Sequence, residues 1–346
     1  MANTAAARPE RVEGGAREVV ADRGDAGRRL DLVLRRHLRD VAGATRTQLQ
    51  AWIENGQVTV NGRQIRRVAA RAALGDRIAI ALPQAAVRRR MTAERIALEV
   101  LHEDEFLLAI DKPAGMVVHP AYKNASGTAM NGLLWRARDW APEMRPSIVG
   151  RLDKLTSGVV IVAKTAAMHA ALQRALMAND AEKDYLAIVY GRVNARRGRI
   201  ELHLAKDRRS RRTVVTSPEA GAASVTRFER IARVPAPRAG LSLLRCSLRT
   251  GRAHQIRAHL AARGWPIVGD PVYGEPRWHQ IVDAELAQVL REFPRQALHA
   301  RRVAFIHPAT QERLVVEAPL PLDVRRLLDA TGLAALLHVD VDARRA

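Results

Sequence analysis

Hydrophobic positions along this chain change period twice, and the changes divide it into segments. Leu30, Val33, Leu34 and Leu38 recur at helical spacing with Arg28, Arg29, Arg35, Arg36 and Arg39 around them, which predicts an amphipathic helix with an arginine-covered outer face. A second helix is predicted from Thr45, with Leu49, Trp52 and Ile53 on its apolar side and Gly56 placed to end it in a left-handed turn. The period shortens to two in QVTVNGRQI, where Asn61-Gly62 signals a hairpin, and GDRIAIAL closes the module with a strand near 77–82. From Ile96 the texture is that of a mixed sheet. LEVLHED and FLLAIDKPAG read as a strand pair joined at acidic turn residues, with SGVVIVAK, DYLAIVYGRV and LSLLRCSL as further strands, and TAAMHAALQRALM and HQIRAHLAARG as helices. Several connections are short, so antiparallel pairing is expected over regular crossovers.

Residues 1–26 carry no period and read as a flexible tail, 27–83 as a small domain, 84–95 as a linker holding three consecutive arginines, 96–330 as the main domain and 331–346 as a C-terminal tail. The expected fold class is α+β: a small α/β module, then a domain with a central mixed, largely antiparallel sheet and flanking helices. Charge adds a partner. The chain has 57 Lys+Arg against 36 Asp+Glu, a net +21, and such an excess marks nucleic acid more often than an anionic membrane or an acidic protein. Of the cations 51 are arginine, whose fork of donors suits phosphate and stacks on bases, although a GC-rich coding sequence also favours arginine. Cys246 is the one cysteine, which excludes an internal disulfide and a cysteine-rich zinc site. No apolar run approaches the roughly 18 residues of a membrane span, and the N-terminus lacks the apolar stretch of a secretion signal. A cytoplasmic protein with no membrane partner is expected.

Two stretches carry candidate chemistry. In RPSIVGRLDKLTSGVVIVAKT, Asp153 lies between Arg151 and Lys154 on a loop leading into an apolar strand; nearby cations favour its ionised form, which can act as a nucleophile or electrostatic partner at a sugar carbon. Taken alone, that pattern is also what a surface ion pair gives. In LRTGRAHQIRAHLAARGWPIVGDPVYG, a helix beginning near Ala253 would set His254 and Arg257 three residues apart on one face, and its N-terminus, edged by Arg252, His254 and Gln255, would suit a phosphate or carboxylate. No HExxH or Cys/His cluster accompanies His254 and His259, so no metal is expected. No P-loop or dinucleotide-binding glycine turn is present, so no cofactor is expected either.

The segments GRRLDLVLRRHL, TRTQLQAWIENGQVTVNGRQI and LGDRIAI resemble the small RNA-binding domain of the ribosomal S-four type, which implies RNA contacts from Arg28, Arg29, Arg46 and Gln48. The segments VVHP, GRLDKLTSG, EKDYLAIVYG, RTGRAHQIRAHL, GDPVYG and RQALHARRVAFIHP resemble, in order, the signatures of bacterial pseudouridine synthases of the RluA type, nearest the RluD branch. That resemblance implies the pseudouridine synthase fold and assigns roles. Asp153 matches the essential aspartate, Tyr185 the tyrosine that packs on the target base, and Arg257 the cation paired with the aspartate. Arg151 would help flip or hold the nucleotide, with Lys154, Arg252, His254 and Gln255 beside the substrate. Leu155 departs from the pattern, which usually has Asp or Glu there. The implied activity is isomerisation of specific uridines in large-subunit ribosomal RNA by a monomer, without metal or cofactor. Transfer RNA is the alternative target, and an RNA-binding ribosome-assembly factor without catalysis is the alternative function. A glycoside hydrolase is disfavoured because no second carboxylate sits in the matching segments.

Overall fold

The structure is a computed structural model that describes residues 16–38, 41, 44–81, 91–120, 124, 126–178, 180–207, 212–234, 240–274 and 277–334. The chain divides into two compact units, residues 1–90 and 91–346. The first holds β1 (Ala16–Val20), α1 (Leu30–His37), α2 (Arg46–Glu54), β2 (Val58–Val60), β3 (Arg63–Ile65) and β4 (Arg77–Ala81). Both helices follow the apolar spacing: Leu30, Val33 and Leu34 of α1 and Leu49, Trp52 and Ile53 of α2 are buried in one core with Ile78 and Ile80 of β4. The Thr45 hydroxyl accepts from Gln48 N and caps α2. Asn61 and Gly62 both take positive φ, as a two-residue hairpin turn of the primed type requires.

One boundary differs from expectation. Residues 16–26 are part of the first unit: β1 pairs with β4 along five residues, Val19 is buried, and Asp25 is fully buried with Arg36 and His37 on its carboxylate. A five-residue edge strand is too short to register as a period, and its stability comes from β4, which lies far along the sequence. Residues 1–15 of the expected tail lie outside the described residues.

The second unit begins with β5 (Glu99–Glu103), β6 (Leu107–Lys112), α3 (Ala129–Arg136), β7 (Ser147–Val149), β8 (Ser157–Ala163) and α4 (Ala166–Met177). It continues through β9 (Glu182–Tyr190), β10 (Arg197–Lys206), β11 (Thr213–Thr216), β12 (Ala222–Val234), β13 (Leu241–Leu248) and α5 (Gln255–Ala262). Then follow α6 (Ala284–Glu292), β14 (Leu298–Ile306), β15 (Arg313–Glu317) and α7 (Leu322–Ala330). The strands form one sheet in the order β11-β10-β12-β13-β9-β14-β8-β6-β5, with β15 on β14 and β7 on β8. Among the described residues only β14 and β8 run parallel, so the sheet is mixed and largely antiparallel, as expected.

Strands β6 and β8 read as unbroken apolar runs because both faces are covered. Leu107, Ala109, Val159 and Ile161 join one core with Leu172 of α4, while Leu108, Ile110, Val160 and Val162 join another with Leu133 of α3. A third core joins β9, β12 and β13 to α5, α6 and α7. The register aligns Cys246, Tyr185, Ala300, Gly158 and Lys112 in one row across five strands, which puts Tyr185 level with the start of β8, where the Asp153 loop ends.

Two further boundaries move. Residues 91–95 of the expected linker are docked on the second unit: Asn131 Nδ2 donates to Thr92 O, Glu94 N to Asn131 O, and Gly127 N to Glu94 Oε2. They carry few apolar side chains, and polar hydrogen bonds from both side chain and backbone, to which hydropathy is blind, hold them. Residues 84–90 lie outside the described residues. At the other end Leu333 is fully buried in the core that contains α7, so the second unit runs past residue 330; residues 335–346 lie outside the described residues.

Gly158 faces Ala300 of β14 with no room for a side chain: its φ is +116°, and a Cβ there would stand 2.2 Å from Ala300 O. Gly158→Ala must therefore both strain the backbone and part the two strands, and should cost about 3 kcal/mol or more in denaturant unfolding of the full chain. A loss below about 1 kcal/mol would show that the two strands tolerate separation.

Candidate active site

Asp153 sits on the loop between β7 and β8, where Gly150 at φ +85° turns the chain and buried Leu152 anchors it. Each following residue is gripped from beneath. Lys112, fully buried at the end of β6, donates through Nζ to Lys154 O at 3.2 Å and to the carbonyls of Pro113 and Met116. Arg295 Nη1 donates to Leu155 O at 3.3 Å, while its Nε and Nη2 hold Asp323 at 2.6 and 2.9 Å. Gln296 Nε2 donates to Thr156 Oγ1 at 3.1 Å, and Ser157 Oγ meets His299 Nδ1 at 3.0 Å. Burial pushes the Lys112 ammonium down to about 8, with the charge of Arg295 adding to the effect and that of Asp153 opposing it. The loop is held through backbone carbonyls at 154 and 155, so its geometry does not depend on the side chain at Leu155.

The carboxylate of Asp153 is 16% exposed and is clasped from one side. Arg257 Nη1 donates to its Oδ2 at 2.9 Å, and the other edge of the same guanidinium makes a bidentate pair with Asp270, Nε to Oδ2 at 2.7 Å and Nη2 to Oδ1 at 2.8 Å. Asp270 has no side-chain exposure and also accepts from Val272 N and Tyr273 N. The Tyr273 ring lies under the guanidinium at 5.1 Å. Burial lowers the Arg257 pKa, but the hydrogen bonds and charges of Asp270 and Asp153 outweigh it and raise the pKa overall. Burial likewise raises Asp270, and the hydrogen bonds and charge of Arg257 outweigh it, holding that carboxyl below the usual carboxylate range.

A cavity of about 570 Å³ opens over Asp153 and is lined by Arg151, Tyr185, Arg252, His254 and Arg257. The Tyr185 phenol is half-buried, and burial together with the charge of Asp153 pushes its pKa up, so it is neutral at physiological pH. Arg151 and Arg252 are exposed on the wall, two long cations beside a half-buried anion. Lys154 is exposed and is not among the lining residues.

Two expectations about the α5 end are corrected. The helix begins at Gln255, and His254 takes a left-handed conformation at φ 54°, so His254 and Arg257 do not share a helical face. The His254 ring is turned to the Tyr273 hydroxyl, 3.0 Å from Nδ1, and Nε2 stands 3.8 Å from Asp153 Oδ1. Gln255 is buried with its amide committed to the protein: Oε1 accepts from Thr250 Oγ1 and Arg252 N, and Nε2 donates to Val225 O and Thr226 Oγ1. It pins the loop ahead of α5 to β12 and is not available to a ligand.

No local sequence pattern marks Asp270, Lys112, Tyr273 or Arg295 as site residues. Asp270 and Tyr273 stand in the GDPVYG segment, where an Asp-Pro pair reads as a turn; the one available signal is that a turn aspartate in an arginine-rich chain has cations to meet.

In the first unit Arg28, Arg46 and Gln48 are exposed and Arg29 is half-buried. Arg29 and Arg46 are gathered by one acid, the fully buried Asp31, whose carboxylate receives Arg29 Nε at 3.0 Å and Gln50 Nε2 at 3.0 Å, with Arg46 Nε at 3.6 Å.

Because the depressed pKa of Asp270 reflects its pairing in the folded chain, its stabilisation is present above the unfolded carboxylate range and is lost as pH falls through the folded value. Asp270→Asn should therefore cost about 3 kcal/mol at neutral pH, since it leaves Arg257 half-paired. The difference from wild type should narrow below about pH 4, read by urea unfolding across pH. A gap unchanged in acid would mean that shape, not charge, makes the contact.

A family profile described as RNA pseudouridylate synthase matches residues 106–262, which include Asp153, Tyr185 and Arg257. The chain is 41% identical over 288 residues to ribosomal large subunit pseudouridine synthase D of Pseudomonas aeruginosa, covering 82% of this chain and 87% of that one. It is 36% identical over 310 residues to the protein of the same name from Neisseria meningitidis serogroup B, covering 90% and 80%. Among solved structures, human RNA pseudouridylate synthase domain containing 4 shares the fold at a TM-score of 0.54 and 21% identity, over 67% of this chain and 92% of that one. With identity of that extent along nearly the whole folded length, the chain belongs to the RNA pseudouridine synthase family.

Proposed function

We propose that this protein converts specific uridines of large-subunit ribosomal RNA to pseudouridine, with Asp153 as the catalytic carboxylate acting on a flipped-out nucleotide. The observation that carries the reading is the Asp153–Arg257–Asp270 chain at the base of a cavity shared with Tyr185. The target class is supported by the two bacterial relatives, both named as ribosomal large subunit pseudouridine synthase D. Such an enzyme works in the cytoplasm, and among the described residues no helix is long and apolar enough to cross a membrane.

The reaction breaks the bond from ribose C1′ to uracil N1, turns the base within the site and joins C1′ to C5; the proton lost from C5 is balanced by one gained at N1. Arg257 occupies Oδ2 of Asp153, which leaves Oδ1 to meet the electron-poor sugar carbon. An arginine already shared with Asp270 holds the anion without fully quenching it. Tyr185, kept neutral, gives the base an aromatic wall and a hydroxyl. Extrusion of the nucleotide costs a few kcal/mol, and Arg151 and Arg252 on the rim can offset that by holding phosphates or the vacated stack. The first unit, read as an S-four-type RNA-binding module, adds a basic face arranged around Asp31, with Arg28, Arg29, Arg46 and Gln48 as its contacts.

Asp153→Asn should abolish pseudouridine formation in ribosomal RNA from cells carrying it as the sole copy, while RNA affinity changes less than about threefold. Equal pseudouridine content in mutant and wild type would end the catalytic assignment and favour an assembly role. Deleting residues 1–83 should weaken RNA binding and flatten its dependence on salt, since each lost phosphate contact reduces the slope by about one. Truncated protein that binds as tightly as the full chain at every salt concentration would deny the first unit a part in recognition.

A further inference from the structure

The chemistry above gives His254 no task, and a count of protons supplies one. The Tyr273 hydroxyl oxygen has three polar neighbours: Thr213 N at 3.1 Å, Thr213 O at 3.0 Å and His254 Nδ1 at 3.0 Å. The Thr213 N–H can only donate and its carbonyl can only accept, so the one phenolic proton goes to the carbonyl. The third contact then closes only if His254 Nδ1 carries a proton and donates it to the phenol oxygen. In a neutral imidazole that leaves Nε2 a bare acceptor. Burial holds the ring below the usual imidazole range and so favours the neutral form: it outweighs the upward pull of Asp153 and Asp270, and the charges of Arg257 and Arg151 add to the lowering.

Nε2 therefore faces another acceptor, Asp153 Oδ1, at 3.8 Å, and both belong to residues lining the cavity. Two acceptors at that separation with no proton between them call for a donor from the substrate. Oδ1 is the oxygen left free to approach C1′, so the donor nearest to hand is the hydroxyl on the adjacent carbon, C2′. The base cannot supply one as well, because N1 carries no proton before the bond breaks and N3–H lies across the ring.

We propose that His254, fixed as the Nδ1-protonated tautomer by Tyr273 and Thr213, accepts the 2′-hydroxyl of the target ribose through Nε2 and so selects ribonucleotide over deoxyribonucleotide at the reacting carbon. This rests on the pseudouridine synthase reading. Phosphate contacts made by arginine do not distinguish RNA from DNA, whereas the 2′-hydroxyl does. A hydroxyl that donates to Nε2 also gains electron density beside C1′ as positive charge develops there, so the contact strengthens in the transition state. His254 then touches substrate, and Tyr273 is a positioning residue acting through it.

The test crosses enzyme variants with substrate variants. A stem-loop RNA bearing the modified uridine is made with ribose or with 2′-deoxyribose at that nucleotide alone, and wild type, His254→Ala and Tyr273→Phe are compared in single turnovers with enzyme in excess. His254→Ala should slow the ribose substrate by about tenfold or more, but the deoxy substrate by less than about threefold, because the lost hydrogen bond is counted once. Tyr273→Phe should shrink the preference for ribose in the same direction. Where deoxy turnover is too slow to follow, dissociation constants of the same pairs complete the cycle. If His254→Ala does not fold, as a thermal melt would report, Tyr273→Phe carries the comparison. Equal slowing of both substrates would mean that His254 acts only within the protein, and would overturn the proposal. Failure of wild type to form pseudouridine in the all-ribose RNA is a different result, which removes the underlying reading.

Discussion

Arg257 is one cation serving two anions, and the site is built around that shortage. Its partner Asp153 lies 104 residues earlier, on the loop before β8, while Asp270 follows 13 residues later. A buried guanidinium needs its donors satisfied, and Asp270 satisfies two of them in rigid bidentate geometry with the Val272 and Tyr273 N–H groups fixing the acid in turn. Of the donors that remain, one on Nη1 is presented to Asp153 in a set direction. Removing Asp270 leaves the buried guanidinium half-paired, and that cost ties the loop before β8, the start of α5 and the turn at 270 into one arrangement.

The loop itself obeys the same economy. Lys112, Arg295, Gln296 and His299 reach up from β6 and the β14 region to consecutive residues from 154 to 157. Two of them grip carbonyls, so the side chains above are free to vary while the main-chain path is kept. That is why leucine at 155 is compatible with an intact pocket: the backbone oxygen is the part the fold uses. Rigid support of this kind is what allows a carboxylate to be both ionised and aimed.

Much of this could be read from residue order and some of it could not. The helices of the first unit, the Asn61-Gly62 turn and the apolar strands β6, β8, β9 and β13 each announce themselves within a dozen residues. Strands β10 and β12 were passed over although Ile200, Leu204, Phe228 and Ala232 are buried in them, since arginines and glutamates on the open face dilute the signal. β1 was missed because its partner strand supplies its stability. At the site, Asp153, Tyr185 and Arg257 were legible through their segments, whereas the helical reading of His254 failed because a tertiary contact with Tyr273 turns its backbone out of the helix. Asp270 and Arg295 were invisible for a related reason: their meaning lies in what they touch across the fold, and no local pattern encodes that.

The parallel contact of β14 with β8 has a bearing on how the molecule comes into being. A ribosome delivers Ser157, where the Asp153 loop runs into β8, 142 residues before His299 of β14, and between them the growing polypeptide can complete hairpins but not the floor on which that loop rests. Until Arg295, Gln296 and His299 have emerged and slotted under residues 155 to 157, the carboxylate has no fixed aim. An enzyme that works on ribosomal RNA would thus be withheld from its substrate by the order of its own synthesis, silent toward the very machine that is making it until nearly the last strand is out.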